Sequence, residues 1–69
     1  MEKKAGKTYK LRQRANLATL LRELRQRAGF SQREVASILN MNRSTYTYYE
    51  TGKTLPDPMT LNRIAKIFG

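Results

Sequence analysis

The sequence predicts an all-α protein, a compact bundle of four helices. Two observations predict this class. Apolar residues recur at intervals of three and four positions in several segments, which is the spacing of one helix face. No segment alternates apolar and polar residues as a half-buried strand does, and no internal repeat occurs. Glycine, asparagine and proline separate the periodic segments and mark where helices begin and end.

Composition narrows the possible functions. The chain has 69 residues, no cysteine, no histidine and no tryptophan, and a formal net charge of +9. A chain this short has a thin core, worth roughly 3–5 kcal/mol, with no disulfide to reinforce it. The usual metal ligands and the commonest general base are absent, so we expect no enzyme, no metal site and no cofactor. The longest nearly apolar run, residues 17–21, is too short to cross a membrane, and we expect a cytoplasmic protein.

The positive charge is concentrated at the N-terminus. Residues 1–16 hold six lysines and arginines against one glutamate, a net charge of +5, and the other 53 residues hold +4. We therefore predict a flexible basic arm over residues 1–16 with a polyanionic partner, followed by a folded domain over residues 17–69. The alternative is a solvated tail without a partner. Charge alone does not distinguish DNA from RNA or an anionic membrane.

The first helix is predicted over residues 17–28. Asn16 can cap its first turn, and Gly29 stands where a left-handed residue would end it. Arg25 lies at the edge of the apolar stripe, so we expect it to pair with a residue elsewhere in the chain, whereas Arg22 is expected to face solvent. The predicted apolar stripe comprises Leu17, Leu20, Leu21, Leu24 and Ala28.

A second helix is predicted from the spacing of Ser31 and Glu34. These residues can form a capping box, in which side chain and backbone satisfy each other's free amides. The helix is only about eight residues long, so it depends on packing against the first helix. It ends at Asn40, which tolerates a left-handed backbone, and Met41 is expected to point inward from the following turn. The predicted inner face comprises Val35, Ala36, Ile38 and Leu39.

A third helix is predicted from its cap, Asn42, through Glu50, with Gly52 as the stop. Tyr46 and Tyr49 are three positions apart and are expected to share its buried face. The opposite face carries Ser44, Thr47 and Tyr48.

The fourth helix is predicted from Asp57, a capping acid, followed by Pro58 in the first helical position, where no amide donor is needed. We expect it to end with the chain at Gly69. Its apolar face comprises Leu61, Ile64, Ala65 and Phe68.

The second and third helices, joined by a turn of about three residues, form a helix-turn-helix pattern, and the small Ala36 permits close approach. Further residues recur around it in a specific order: Leu21-Arg22-Glu23-Leu24-Arg25, Gly29-Phe30-Ser31-Gln32, Val35-Ala36, Tyr49-Glu50-Thr51-Gly52-Lys53 and Pro56. With this ordered set the chain resembles the phage Cro and repressor-like helix-turn-helix family of bacterial transcriptional regulators, over about residues 17–68. That family commonly has a fifth helix after the equivalent of Phe68, which we expect to be absent here.

The resemblance implies that the third helix enters the major groove of DNA while the second crosses above it. The residues implied to contact base edges are Arg43, Ser44, Thr47 and Tyr48. The residues implied to contact phosphates are Gln32, Asn42 and Lys53. Arg43 suits guanine, whose O6 and N7 accept two parallel donors. The alternatives are a solvated arginine at Arg43 and an ordinary helix-start residue at Gln32.

The resemblance also implies a structural salt bridge between Arg25 of the first helix and Glu50 at the end of the third. The alternative is two independent surface charges, which would contribute about 0–1 kcal/mol if they met at all.

Together these observations predict a transcriptional regulator, a repressor, that binds double-stranded DNA sequence-specifically and reads the major groove with the helix over residues 43–50. The expected partner is a palindromic operator bound by a homodimer. The alternative from a different class is a protein-interaction module, such as an antitoxin or a bridging cofactor. Non-specific RNA binding is a third possibility, which the basic arm permits although no module that reads single strands is present.

Overall fold

The computed structural model describes the backbone of residues 2–69 and the side chains of residues 13–69. Within this part of the chain there are four helices and no strand: α1 (Glu2–Ala28), α2 (Gln32–Ile38), α3 (Arg43–Thr51) and α4 (Pro58–Phe68). Helix α1 packs against α3 and α4, and α2 packs against α3. The predicted all-α bundle is confirmed.

Local chemistry determines where α2 and α3 begin and end. The Ser31 hydroxyl accepts a hydrogen bond from the Glu34 amide at 3.0 Å, and the Glu34 carboxylate accepts one from the Ser31 amide at 2.7 Å. This is the predicted capping box. Asn40, with φ 58°, and Gly52, with φ 79°, adopt the left-handed conformation just after α2 and α3. Both predicted stops are confirmed.

Side chains from all four helices form the core. Tyr46 of α3 is its largest fully buried side chain. Tyr49 packs against it edge-on, with the ring centroids 6.1 Å apart, and Met41 packs inward from the turn before α3. The Tyr46 hydroxyl is buried and makes no hydrogen bond, and burial raises its pKa well above the usual range. The other buried members of the cluster are Leu21, Val35, Ala36, Leu39 and Ile64.

The predicted start of α1 is wrong. The helix begins at Glu2, and Asn16 lies inside it instead of at its N-cap. Residues 13–16 contain no glycine or proline, so nothing in the local sequence ends a helix there. The Arg14 backbone also lies against the end of α3: a Cβ on Gly52 would be 3.5 Å from the Arg14 carbonyl oxygen. The side chains of residues 1–12, most of the predicted flexible arm, lie outside the described part, and the arm stays a prediction.

The predicted apolar faces include four residues that are exposed: Leu20 and Ala28 in α1, Ile38 in α2 and Ala65 in α4. Leu20 is 49% exposed and Ile38 is 51% exposed, whereas Ala18 and Ala36 are buried. Leu20 and Ile38 each lie two positions from a buried alanine, a rotation of about 200° around the helix. A helix that buries Ala18 therefore presents Leu20 to solvent, and the same relation holds in α2.

Candidate nucleic-acid interface

One face of α3 is polar and exposed. Arg43 and Ser44 begin the helix, and Thr47 and Tyr48 follow one turn later, so the four lie on one face. They line a shallow depression of about 360 Å³. Arg43, Ser44 and Tyr48 are exposed and Thr47 is half-buried. The structure thus brings together all four side chains that the resemblance assigned to base contacts.

Asn42 lies immediately before this face. It is the N-cap residue of α3, but its side chain makes no capping hydrogen bond. Asn42 and Arg43 also border a second depression, of about 430 Å³, whose opposite wall is formed by α2 through Arg33 and Ser37. Asn42 therefore lies at the N-terminal edge of the α3 face.

Lys53 lies at the other end of the face. Its ammonium group is 4.6 Å from the centroid of the Tyr48 ring, a cation–π contact. The Lys53 amide also donates to the Tyr48 carbonyl oxygen at 3.0 Å, which closes the end of α3. This pairing was missed from the sequence, because the two residues are five positions apart and meet only through the turn at Gly52.

Gln32 is half-buried between α2 and α3. Its side-chain amide nitrogen donates to the Glu50 carboxylate at 3.0 Å, and its oxygen accepts from the Thr47 hydroxyl at 2.9 Å. The residue assigned to a phosphate is therefore hydrogen-bonded within the protein. Nothing in the sequence indicates these contacts, since the partners are 18 and 15 positions away and depend on how the helices cross.

Arg25 and Glu50 form a bidentate ion pair. The Nε and Nη2 atoms of Arg25 donate to the two carboxylate oxygens of Glu50 at 2.6 and 3.0 Å. The Glu50 side chain is 1% exposed and that of Arg25 is 12% exposed. The two residues lie together as the resemblance implied, and they join α1 to the end of α3.

The pair is ionised because its hydrogen bonds outweigh burial. Burial alone would raise the pKa of the Glu50 carboxyl, but Arg25, the neighbouring Tyr46 hydroxyl and Gln32 favour the carboxylate, and the net effect lowers its pKa. The hydrogen bond to Glu50 raises the pKa of the Arg25 guanidinium. Glu50 is therefore a carboxylate at neutral pH and acts only as a hydrogen-bond acceptor.

Arginines bind backbone carbonyls near helix ends in three further places that the sequence did not indicate. Arg22, expected to face solvent, donates to the Glu50 carbonyl oxygen at 2.7 Å. Arg25 also donates to the Phe30 carbonyl at 2.9 Å. The third bond, at 3.0 Å, joins Arg63 of α4 to the Leu39 carbonyl. Free carbonyl groups at helix ends attract basic side chains, but the sequence does not indicate which basic side chain reaches which carbonyl.

Among the residues that the structure describes, no helix is long and apolar enough to cross a membrane. The same residues contain no group of three or more histidine, cysteine, aspartate or glutamate side chains that could hold a metal ion.

A short helix, a tight turn and a second helix with a polar exposed face define a helix-turn-helix protein. The chain belongs to the helix-turn-helix domain family, which matches residues 16–69. The predicted family relationship is confirmed.

A curated relative is similar over a large part of the chain. It is the SPbeta prophage-derived uncharacterized HTH-type transcriptional regulator YonR of Bacillus subtilis (strain 168), 39% identical over 49 residues. The match covers 71% of this chain and 45% of that protein, so the chain spans less than half the length of its relative. No solved structure matches at a significant level.

Proposed function

We propose that this chain is a sequence-specific DNA-binding domain of a transcriptional regulator, and that α3 reads base edges in the major groove. The observation that carries the proposal is the division of α3 into two faces. Tyr46 and Glu50 are buried against the rest of the bundle, while Arg43, Ser44 and Tyr48 are exposed on the other side. The major groove, about 12 Å wide, admits a helix presented in this way.

Side chains at the margins of the α3 face support the proposed phosphate contacts. Asn42 lies at its N-terminal edge and Lys53 at its C-terminal edge, so both can reach the backbone of a duplex whose bases meet the face between them. Gln32 borders a depression with Arg33 and Arg43, which adds two positive charges beside it. The proposed role of Gln32 is a phosphate contact that coexists with its bonds inside the protein.

The uneven distribution of charge assigns affinity and specificity for DNA to different parts of the chain. The +5 of residues 1–16 would supply attraction that depends on salt but not on sequence. The α3 face carries one formal charge, that of Arg43, among hydroxyl groups and an aromatic ring. Discrimination between sequences would therefore come from α3, and the basic residues 1–16 would increase affinity for every duplex.

The regulator is proposed to act as a repressor in the cytoplasm. Its site would be a palindromic operator bound by two copies of the protein, with half-sites one helical turn apart. The family relationship and the transcriptional regulator named for the prophage relative support a role in transcription regulation.

Fluorescence anisotropy tests the proposal. A binding site is first selected from a random duplex pool, and the protein is then titrated with that site and with a scrambled duplex of the same composition, at two salt concentrations. We expect tighter binding of the selected site at both concentrations and weaker binding of both duplexes at high salt. Equal affinity for the two duplexes would contradict sequence specificity.

A further inference from the structure

A chain of side-chain hydrogen bonds runs from the core to the α3 face. The Arg25 guanidinium and the Gln32 amide nitrogen donate to the same Glu50 oxygen, each at 3.0 Å. The side-chain oxygen of Gln32 accepts a hydrogen bond from the Thr47 hydroxyl at 2.9 Å. Thr47 in turn borders the depression on the α3 face with Arg43 and Tyr48. A buried charge and a surface hydroxyl are thus connected through one glutamine.

The direction of these hydrogen bonds is determined by chemistry. An ionised carboxylate only accepts, so Gln32 must turn its NH₂ group toward Glu50. The amide oxygen of Gln32 then faces Thr47 and requires a donor. The Thr47 hydroxyl has a single proton, and this bond uses it. On its outer side, Thr47 retains only lone pairs.

We infer that Glu50, acting through Gln32, makes Thr47 a hydrogen-bond acceptor toward DNA, so that Thr47 selects the exocyclic amino group of adenine or cytosine. In the major groove, adenine N6 and cytosine N4 donate, whereas thymine O4 and guanine O6 accept. A hydroxyl without a proton to give cannot bond to O4 or O6. The inference rests on the proposed function and adds a specificity determinant, Thr47, and two positioning residues.

Ser44 provides a contrast on the same face. Its hydroxyl has no hydrogen-bond partner among the described residues, so its proton is free to rotate toward either kind of group. Ser44 is therefore permissive where Thr47 is selective, although both present a hydroxyl to the same depression.

The first experiment locates the base that Thr47 contacts. Sites are selected from a random duplex pool with the wild-type protein, with Thr47→Val and with Thr19→Val. Valine keeps the shape of threonine and removes the hydroxyl. Thr19 is an exposed threonine of α1 whose hydroxyl bonds to the Ala15 carbonyl, so Thr19→Val is a matched control. We expect Thr47→Val to relax preference at one base pair by about 2- to 10-fold, the effect of one hydrogen bond, and Thr19→Val to leave every position unchanged.

The second experiment identifies the atom. At that base pair, one duplex carries an analogue without the exocyclic amino group, such as purine in place of adenine. A second duplex carries an analogue of the partner base without the carbonyl oxygen. For the wild type, loss of the amino group should weaken binding by about 2- to 10-fold, and Thr47→Val should abolish this difference. Loss of the oxygen should affect both proteins equally.

Gln32→Met tests the positioning role directly. Methionine has a similar length but no amide oxygen to accept from the Thr47 hydroxyl, so the Thr47 proton is free to turn toward DNA. Binding should then depend on both the amino group and the carbonyl oxygen. If this variant is unfolded by circular dichroism, Gln32→Ala serves instead, because it removes the same acceptor.

The outcomes separate the two proposals. If no sequence is enriched from the pool, the proposed function fails. The inference about Thr47 is overturned if a site is enriched but Thr47→Val alters base preference at no position. It is also overturned if Thr47→Val abolishes the effect of deleting the carbonyl oxygen instead of the amino group. In both cases the proposed function stands. A Gln32→Met or Gln32→Ala protein that is folded and keeps the wild-type atom dependence would overturn the role of Gln32, and with it that of Glu50, which acts only through Gln32.

Discussion

Arg25 and Glu50 are joined by two parallel hydrogen bonds of 2.6 and 3.0 Å where α1 meets the end of α3, and the Glu50 side chain is almost fully buried. The same carboxylate accepts from Gln32, and the backbone carbonyl of Glu50 accepts from Arg22. One residue therefore links α1, α2 and α3. Because α3 carries the proposed recognition face, this pair also orients that face relative to the bundle.

Glu50→Ala should remove most of the stability of the domain. Removing one partner of a buried ion pair leaves the other uncompensated and costs about 3–5 kcal/mol. A core of this size supplies a similar free energy of unfolding, roughly 3–5 kcal/mol. We expect thermal and urea unfolding, followed by circular dichroism, to show little or no cooperative transition. Glu23→Ala, at an exposed position of α1, is the control and should change stability by no more than about 0.5 kcal/mol. A Glu50→Ala melt that matches the wild type would contradict the structural role of the pair.

The contribution of Glu50 to stability should disappear in acid. Its pKa is lower in the folded protein than the ordinary value of 4.5, so the unfolded chain binds the proton more readily. The stabilisation is therefore fully present above about pH 4.5 and is lost as the pH falls through the lowered value. We expect the difference in unfolding free energy between the wild type and Glu50→Gln to shrink from neutral pH to about pH 3. Urea unfolding across this range measures it, and a constant difference would contradict the assignment.

Much of the fold could be predicted because the ends of its helices depend on the chemistry of neighbouring residues. The Ser31 capping box and the left-handed residues Asn40 and Gly52 act over a few positions, and each lies where the sequence indicated. The start of α1 could not be placed in this way. Asn16 can cap a helix or continue one, and the proximity of the Arg14 backbone to Gly52 joins distant parts of the chain, which the sequence does not indicate.

The candidate site likewise has features that the sequence predicts and contacts that it does not. The exposed positions on α3, such as Ser44 and Tyr48, follow from helical periodicity alone. The contacts between Gln32 and Thr47 and between Arg22 and the Glu50 carbonyl depend on where two helices cross. Sequence periodicity assigns a residue to a face but not to a partner on another helix, so these contacts became visible only in the structure.

Gly52→Ala should destabilise the domain through backbone strain. Gly52 has φ 79°, a left-handed conformation that costs other L-residues about 1–2 kcal/mol. The added carbon would make ordinary contacts, 3.5 Å from the Arg14 carbonyl oxygen and 3.8 Å from the Ala18 Cβ, so no clash adds to the strain. Urea unfolding should therefore show a loss of about 1–2 kcal/mol.

Gly29→Ala is the matched comparison for Gly52→Ala. Gly29 has φ 82° and no atom within 4 Å of the added carbon, so its loss should come from strain alone and equal that of Gly52→Ala. A much larger loss at Gly52 would show that the packing between α1 and the end of α3 is less tolerant than these distances indicate.

Arg43→Ala should reduce specificity more than affinity. Arg43 begins α3 on its exposed face, and a bidentate contact from arginine to guanine contributes about 1–3 kcal/mol of discrimination. We expect the variant to lose preference at one base pair while the scrambled duplex binds almost as before. Competition binding with a set of single-base-pair variants of the selected site measures this. A uniform loss across all duplexes would place Arg43 on a phosphate.

Lys53→Ala should have the opposite signature. A lysine on a phosphate contributes without regard to sequence, so its loss should weaken binding to all duplexes alike and reduce the slope of log K against log salt by about 1. Lys66→Ala is the control, since it removes the same charge from an exposed position in the last turn of α4. Anisotropy titrations at several salt concentrations provide both quantities. Because the Lys53 ammonium also lies 4.6 Å from the Tyr48 ring centroid, a change in base preference would instead indicate that the lysine acts by holding Tyr48 against the duplex.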